Sequence, residues 1–267
     1  HPDKSSDAQS PIEILVTFRA RRMISKAKSR FIKQLQVKKY RLAEQCFMVQ
    51  GAKAVRETLP TDFEVMTLVA TTDFLSSLPS ALMTHAGEII EVTESELSSL
   101  GSVESNSAAL AVVRMKTPAL AALLPATFGL ILDDIRDPGN LGTIIRTADW
   151  YGVHQIVASP ETADCYNPKV ISATMGSFLR VNVNYQPLVP FVKQSKASLF
   201  GAFLDGIDVH SFKFPEGGWI VIGNESRGIS EELSQYITRR ITIPRYGQAE
   251  SLNASVATAI ILDNLHR

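Results

Sequence analysis

Short apolar runs, each closed by glycine, proline or small polar residues, constrain the second half of this chain more than any other feature. Residues 128–132, 155–158, 181–183, 199–204, 219–222 and 241–243 have the length and the β-branched or aromatic content of buried strands. Helical patterns alternate with them. Leu141, Ile144, Ile145 and Ala148 repeat at i, i+3, i+4 and i+7, and Gly152 ends that pattern. Asn167-Pro168-Lys169 opens a further helix to about Met175, with proline at its first position. The closing segment 253–265 is rich in alanine and isoleucine with few charges, which predicts a helix buried on more than one side. Strands alternating with helices in this way predict an α/β fold around a parallel sheet.

The first half carries a smaller series of the same kind. Residues 46–49, 64–70, 88–92 and 108–115 read as strands, and 52–59 as a helix stopped by Pro60. Thr93 and Glu96 form a capping box that opens a short helix to Leu100. Ahead of these, 24–45 reads as one basic helix with an apolar stripe of Ile24, Phe31, Leu35, Val37 and Leu42. The stretch 116–126, with Pro118, Pro125 and many alanines, reads as a linker. The expected organisation is a domain over 23–115, a linker over 116–126 and a second domain over 127–267. The chain opens on His1 and not on Met, so residues 1–22 are expected to be a mobile or non-native tail.

Net charge is zero, yet the charge is unevenly placed. Ten basic residues and no acidic one fall between Arg19 and Arg41, leaving 17 basic against 27 acidic residues elsewhere. A patch without acids suits a polyanion, although charge runs are more often a solvated face. Cys46 and Cys165 form no Cys-x-x-Cys or Cys/His cluster, so neither a metal site nor a disulfide framework is expected. No apolar run approaches a membrane span, and a reducing, cytoplasmic setting is expected. None of the five histidines sits in a catalytic motif, and no Gly-x-Gly-x-x-Gly follows the first strand of either half.

What chemistry there is should lie in three loops. Trp219–Ile222 runs into Gly223-Asn224-Glu225-Ser226-Arg227-Gly228, where the glycines permit tight turning and close backbone approach. This spacing lacks the Lys-Ser/Thr of a P-loop. The run 241–243 leads to Ser251-Leu252-Asn253. The run 128–132 leads to Asp137-Pro138-Gly139-Asn140 and on to Arg146. Each loop alone is an ordinary strand-to-helix turn, with Asn140 a cap and Arg146 a surface residue. Together they place asparagines, a glutamate and an arginine at the carboxyl ends of strands, where open α/β sheets bind ligands.

Asn140-Leu-Gly-Thr-Ile-Ile-Arg146, Gly223-Asn224-Glu225-Ser226-Arg227-Gly228 and Ser251-Leu252-Asn253-Ala254-Ser255-Val256-Ala257 resemble, in order, the three motifs of the SpoU family of RNA ribose 2′-O-methyltransferases. Residues 24–115 resemble that family's substrate-binding domain. The resemblance implies an α/β, parallel-sheet methyltransferase domain with a C-terminal trefoil knot, behind a smaller N-terminal α/β RNA-binding domain. A knot is something general topology argues against. It implies S-adenosylmethionine as cofactor and a homodimer with the active site near the subunit interface. On the family pattern Gly223, Ile243 and Leu252 hold the cofactor, with Asn224 and Ala254 beside them. Arg146 is the proposed catalytic residue, and Asn140, Glu225, Ser251 and Asn253 complete the site. No metal is implied.

The implied substrate is RNA, ribosomal RNA foremost, with transfer RNA the alternative. A base-methylating relative and an RNA-binding relative without turnover are the competing classes. A ribose 2′-hydroxyl as acceptor selects RNA over DNA. Because a guanidinium stays protonated, Arg146 suits phosphate binding and stabilisation of a developing alkoxide better than proton abstraction. Two positions depart from the family pattern: Ser172, where arginine is common, and Gln50, where glutamate is common. They are expected to bear on RNA contacts or packing.

Overall fold

Successive side chains of the central strands enter different layers, as a pleated backbone requires. The computed structural model describes residues 21–22, 24–101, 108–116 and 126–267. Strands β1 (Arg21–Arg22), β2 (Cys46–Gln50), β3 (Val65–Ala70), β4 (Ala86–Glu91) and β5 (Ala109–Arg114) form a mixed sheet in the order β1-β4-β3-β5-β2. Around it lie helices α1 (Lys26–Gln34), α2 (Lys38–Glu44), α3 (Ala52–Thr58), α4 (Thr72–Ser76), α5 (Ser80–Met83) and α6 (Glu94–Leu100). Cys46 and Met48 face Ile32, Leu35, Leu97 and Leu100 in one core. Phe47 and Val49 face Val55, Leu59 and Phe74 in another.

The single basic helix expected over 24–45 is in fact two. The backbone N–H of Leu35 closes α1 on the carbonyls of Ile32 and Lys33, and extended Val37 starts α2 afresh. The break shifts the helical phase, so Ile32 and Leu35 are fully buried while Val37 and Leu42 of the expected stripe are exposed. The Thr93–Glu96 capping box is present in both directions. Helices α4 and α5 fall within a connection that showed no helical period. The tail 1–22 and the linker 116–126 lie mostly outside the described residues; of the former, Arg21 and Arg22 pair in parallel with Ile90 and Glu91.

The second sheet is parallel throughout, as its continuous apolar runs predict. It comprises β6 (Phe128–Asp133), β7 (Gln155–Ala158), β8 (Asn182–Tyr185), β9 (Leu199–Asp208), β10 (Gly218–Gly223) and β11 (Arg239–Thr242), in the order β11-β9-β10-β6-β7-β8. Leu130, Leu132, Ile220 and Ile222 face a core that includes Leu141, Ile144 and Ile145 of α7 (Pro138–Trp150), Val170 of α8 (Pro168–Thr174) and Ile261 of α11 (Ala254–Asn264). Ile131, Trp219 and Val221 face Val192 of α9 (Leu188–Gln194) and Leu233 of α10 (Glu231–Ser234). Helix α9 was not expected, because Pro187 and Pro190 mask its pattern. Strand β11 begins at Arg239, earlier than its apolar run, with a register shift between Arg240 and Ile241.

Strand order reverses between β6 and β10, which are adjacent, and Gly223 lies opposite Asp133 in the ladder. This is the switch point at which a crevice opens outside the carboxyl ends of the strands. The two sheets also share a core. Ile171 of α8 and Phe178 pack among the side chains of β2 and α3, and the rings of Phe47 and Tyr166 lie 4.4 Å apart.

Candidate active site

The loop leaving β6 is shaped by its aspartates. Asp133 Oδ2 accepts a hydrogen bond from the Ser230 N–H at 2.7 Å, tying the β6 end to the turn after β10. Asp134 adopts φ 61, a left-handed conformation that aspartate tolerates better than most residues. Asp137 then caps α7: its Oδ1 accepts from the Asn140 N–H at 2.7 Å, and Pro138 takes the first helical position. The cap is therefore Asp137, not Asn140. Asn140 stands inside the first turn with its side chain free for other work. Gly142 lets α7 approach α8, since a Cβ there would overlap Ala173 and the Val170 carbonyl.

That work is a relay joining all three loops. Asn253 Oδ1 accepts from the Ser255 N–H at 2.9 Å and the Ser255 hydroxyl at 2.6 Å, capping α11. With its oxygen so committed, Asn253 can present only its amide nitrogen outward, and Nδ2 donates to Asn140 Oδ1 at 2.8 Å. Asn140 Nδ2 in turn donates to Glu225 Oε1 at 2.6 Å. The direction of every amide in the relay follows from the helix cap, a self-consistent assignment.

The glutamate loop is held from beneath. Asn224 pairs with Gly228 through both backbone groups, and Gly228 supplies φ 69 for the turn. A Cβ at Gly223 would overlap the Gly228 carbonyl carbon and the Ile229 nitrogen, so only glycine permits this return. Asn224 Nδ2 donates to the Asp134 carbonyl at 2.9 Å, and its Oδ1 accepts from the Ser226 and Arg227 N–H groups. The Asp134 carboxylate pairs with both Arg136 and Arg227. Its hydrogen bond raises the already high pKa of Arg136 further. No motif or spacing marks Asp134, whose only local signal is an acidic residue directly after a strand.

Of the residues expected at the site, Asn140, Glu225 and Asn253 are brought into direct contact, and Asn224 orders the loop that carries Glu225. Arg146 and Ser251 are exposed and stand apart from the relay. Arg146 is six residues beyond Asn140, about 9 Å along the helix axis. Gly223 and Ile243 are half-buried, Leu252 is exposed, and Ala254 buries its side chain in the core. The two departures, Gln50 and Ser172, line one cavity of about 240 Å³ with Lys53 and Met175, between β2–α3 and α8. Burial pushes the Cys165 thiol up to about 12 and raises that of Cys46, so both remain protonated at neutral pH. No group of three or more His, Cys, Asp or Glu side chains suited to a metal occurs among the described residues.

The model of the SpoU rRNA Methylase family matches residues 127–263, and that of the MRM3-like substrate binding domain matches residues 26–111. A Bacillus subtilis protein, 23S rRNA (guanosine(2553)-2′-O)-methyltransferase RlmP, is 32% identical over 237 residues, covering 87% of this chain and 93% of its own. Among solved structures, a putative RNA methyltransferase of the TrmH family from Porphyromonas gingivalis superposes with a TM-score of 0.79 at 35% identity, covering 91% of this chain and 98% of that one. An AdoMet-bound rRNA methyltransferase from Sinorhizobium meliloti gives a TM-score of 0.84 at 27% identity, covering 92% and 97%.

Proposed function

The chain belongs to the SpoU rRNA methylase family, and from that premise we propose how its residues carry out S-adenosylmethionine-dependent methylation of a ribose 2′-hydroxyl in RNA, ribosomal RNA foremost. The observation that carries the reading is the Asn253–Asn140–Glu225 relay, which binds three separate loops into one constellation at the β6/β10 switch point.

S-adenosylmethionine, when bound, supplies an electrophilic methyl group on a sulfonium. The residues present fit it. From Arg245 to Leu252 no backbone group bonds to another backbone group among the described residues, so donors and acceptors are left for a nucleoside. Ile243 precedes that segment in the chain and Ala254 follows it, while Gly223 and Asn224, on the loop of Glu225, complete the proposed cofactor site. Arg146 binds a phosphate of the RNA and stabilises the alkoxide that develops as the 2′-hydroxyl passes its proton to solvent. The relay fixes Glu225 and Asn140 so that the ribose is oriented without reorganisation during reaction. Ser251 borders the same loop and supplies a further hydroxyl.

The active assembly is a homodimer. Thr143, Arg146 and Trp150 fall at i, i+3 and i+7 on α7, all exposed, and Trp150 is 83% exposed. Val256 is exposed on α11, which packs on α7. A second copy covering this face would bury the tryptophan and bring Arg146 to the interface. The return from edge strand β11 to α11 is taken as the family's trefoil knot. Supporting this, Asn253 meets Asn140 beside Glu225, so the segment passes the 223–228 loop. Residues 23–115 serve as the RNA-binding domain and 127–267 as the methyltransferase domain. The cytoplasm is the compartment that suits two unpaired cysteines and a ribosomal RNA substrate. No helix among the described residues is long and apolar enough to cross a membrane.

Labelled methyl transfer to unmodified ribosomal and transfer RNA, with Arg146→Ala as control, tests the assignment. Transfer should fall by about 10²–10³-fold in the variant, with cofactor binding by calorimetry unchanged. Equal turnover in the two proteins would remove Arg146 from the mechanism.

A further inference from the structure

The charge run between Arg19 and Arg41 does not behave as one surface. Lys28 is spent on Glu88 at 2.7 Å. Arg41 is buried to 1% exposure and pairs with Asp164, 123 residues away, through Nη2 at 2.6 Å and Nε at 3.1 Å. Its remaining nitrogen, Nη1, donates to the carbonyls of Leu35 and Gln36 at 2.9 and 2.8 Å, the very turn that separates α1 from α2. One guanidinium thus fastens the α1–α2 hairpin to the loop between β7 and α8. Lys26, Arg30, Lys33, Lys38 and Lys39 are exposed on that hairpin and have no ion-pair partner among the described residues.

The loop that receives Arg41 is continuous with the frame of the active site. Ser159 Oγ accepts from the Asp134 N–H at 3.0 Å, Thr162 Oγ1 from the Ile135 N–H at 3.2 Å, and the Ala163 N–H donates to the Ile135 carbonyl at 2.8 Å. Asp134 is the residue on which the Asn224–Arg227 loop rests, and Asp137 caps the helix of Asn140 and Arg146. Tyr166, on the same loop, accepts from the Lys116 N–H at 3.0 Å and donates to the Lys116 carbonyl at 2.9 Å, where the chain leaves the first sheet. A buried ion pair is a weak source of stability compared with apolar side chains of similar volume, but it specifies one geometry. The shared apolar core of Ile171 and Phe178 already joins the sheets. The added function of Arg41 is register.

We propose that Arg41 is a positioning residue for methyl transfer: with Asp164 it locks the cationic α1–α2 hairpin to the active-site frame, so that RNA bound on the hairpin meets Arg146 in one orientation. This rests on the RNA methyltransferase reading above. Without the lock, the hairpin still attracts phosphates but holds them in shifting registers, and small misplacements at a reacting centre cost large factors in rate.

The test compares the full-length wild type with Asp164→Asn, Arg41→Lys and Arg41→Met, using unmodified ribosomal RNA under steady-state conditions and calorimetry with S-adenosylmethionine. Asp164→Asn keeps shape and a hydrogen-bond acceptor but leaves the buried guanidinium without its counter-charge. Thermal melting therefore first establishes which variants are folded, and Arg41→Lys, which keeps both charges, reports if either of the others fails to fold. The expected result is kcat lowered about tenfold or more, with KM for RNA and cofactor affinity each within about twofold of wild type. Arg41→Lys, which keeps the charge but not the fork, should fall between wild type and Asp164→Asn. Unchanged kcat in Asp164→Asn would overturn the proposal, as would a loss of kcat matched by a loss of cofactor affinity. Absence of transfer by the wild type would instead strike the methyltransferase reading.

Discussion

Asn253 caps α11 with its oxygen and holds Asn140 with its nitrogen, and the two roles can be separated. Asn253→Asp retains a cap oxygen and adds negative charge at a helix N-terminus, so stability should stay within about 0.5 kcal/mol of wild type. It removes the donor to Asn140. If Asn140 rotates its amide to donate to the new carboxylate, its oxygen then faces Glu225, so one bond of the relay is lost either way. Methyl transfer should fall at least about tenfold while the thermal midpoint holds; transfer at the wild-type rate would show that the relay is not needed for turnover. The residues of this relay were legible in sequence as members of motifs, but their mutual contacts were not. Asp137 hid the point, because a local reading gives the cap to Asn140. Arg41 was misplaced for a related reason: a basic run gives no sign that one of its members has a half-buried carboxylate waiting 123 residues downstream.

Helix α7 carries the site on one side and an exposed stripe on another. The buried positions Leu141, Ile144, Ile145 and Ala148 were readable from their spacing, as was the stop at Gly152. The strands were equally readable, because a strand buried on both faces is an unbroken apolar run with a sharp end. Elements of one or two turns, α4 and α5, are too short to establish a period, and the hydrophobic period of 24–45 was read across a break that only tertiary packing enforces. On the homodimer proposed above, the exposed stripe is the face that a second copy covers. Trp150→Glu should leave the fold and cofactor binding intact, since Trp150 is 83% exposed. Sedimentation should show a monomer where the wild type is a dimer. Dimer persisting in the variant would place the interface elsewhere.

Across the whole molecule, two sheets that are separate in sequence share a core and an ion pair, and the cationic α1–α2 hairpin is thereby tied to the loop between β7 and α8. Composition gave a neutral chain and concealed this polarity; the uneven distribution of charge revealed it, but not which cations remain available. The parallel sheet and the order of the three loops were within reach of the sequence; the switch point, which needs the strand order, was not. At the level of sequence, the knot proposed for the C-terminal segment rests on the family resemblance alone, because periodicity carries no information about the path of a return. Everything proposed here depends on the methyl group reaching a ribose 2′-oxygen and not a base. Methylation there blocks the attack of that oxygen on the neighbouring phosphodiester. Unmodified ribosomal RNA should therefore be incubated with the protein and labelled S-adenosylmethionine, then hydrolysed to completion with alkali. The label should be recovered in an alkali-resistant dinucleotide; label recovered in a mononucleotide, on the base, would contradict ribose methylation.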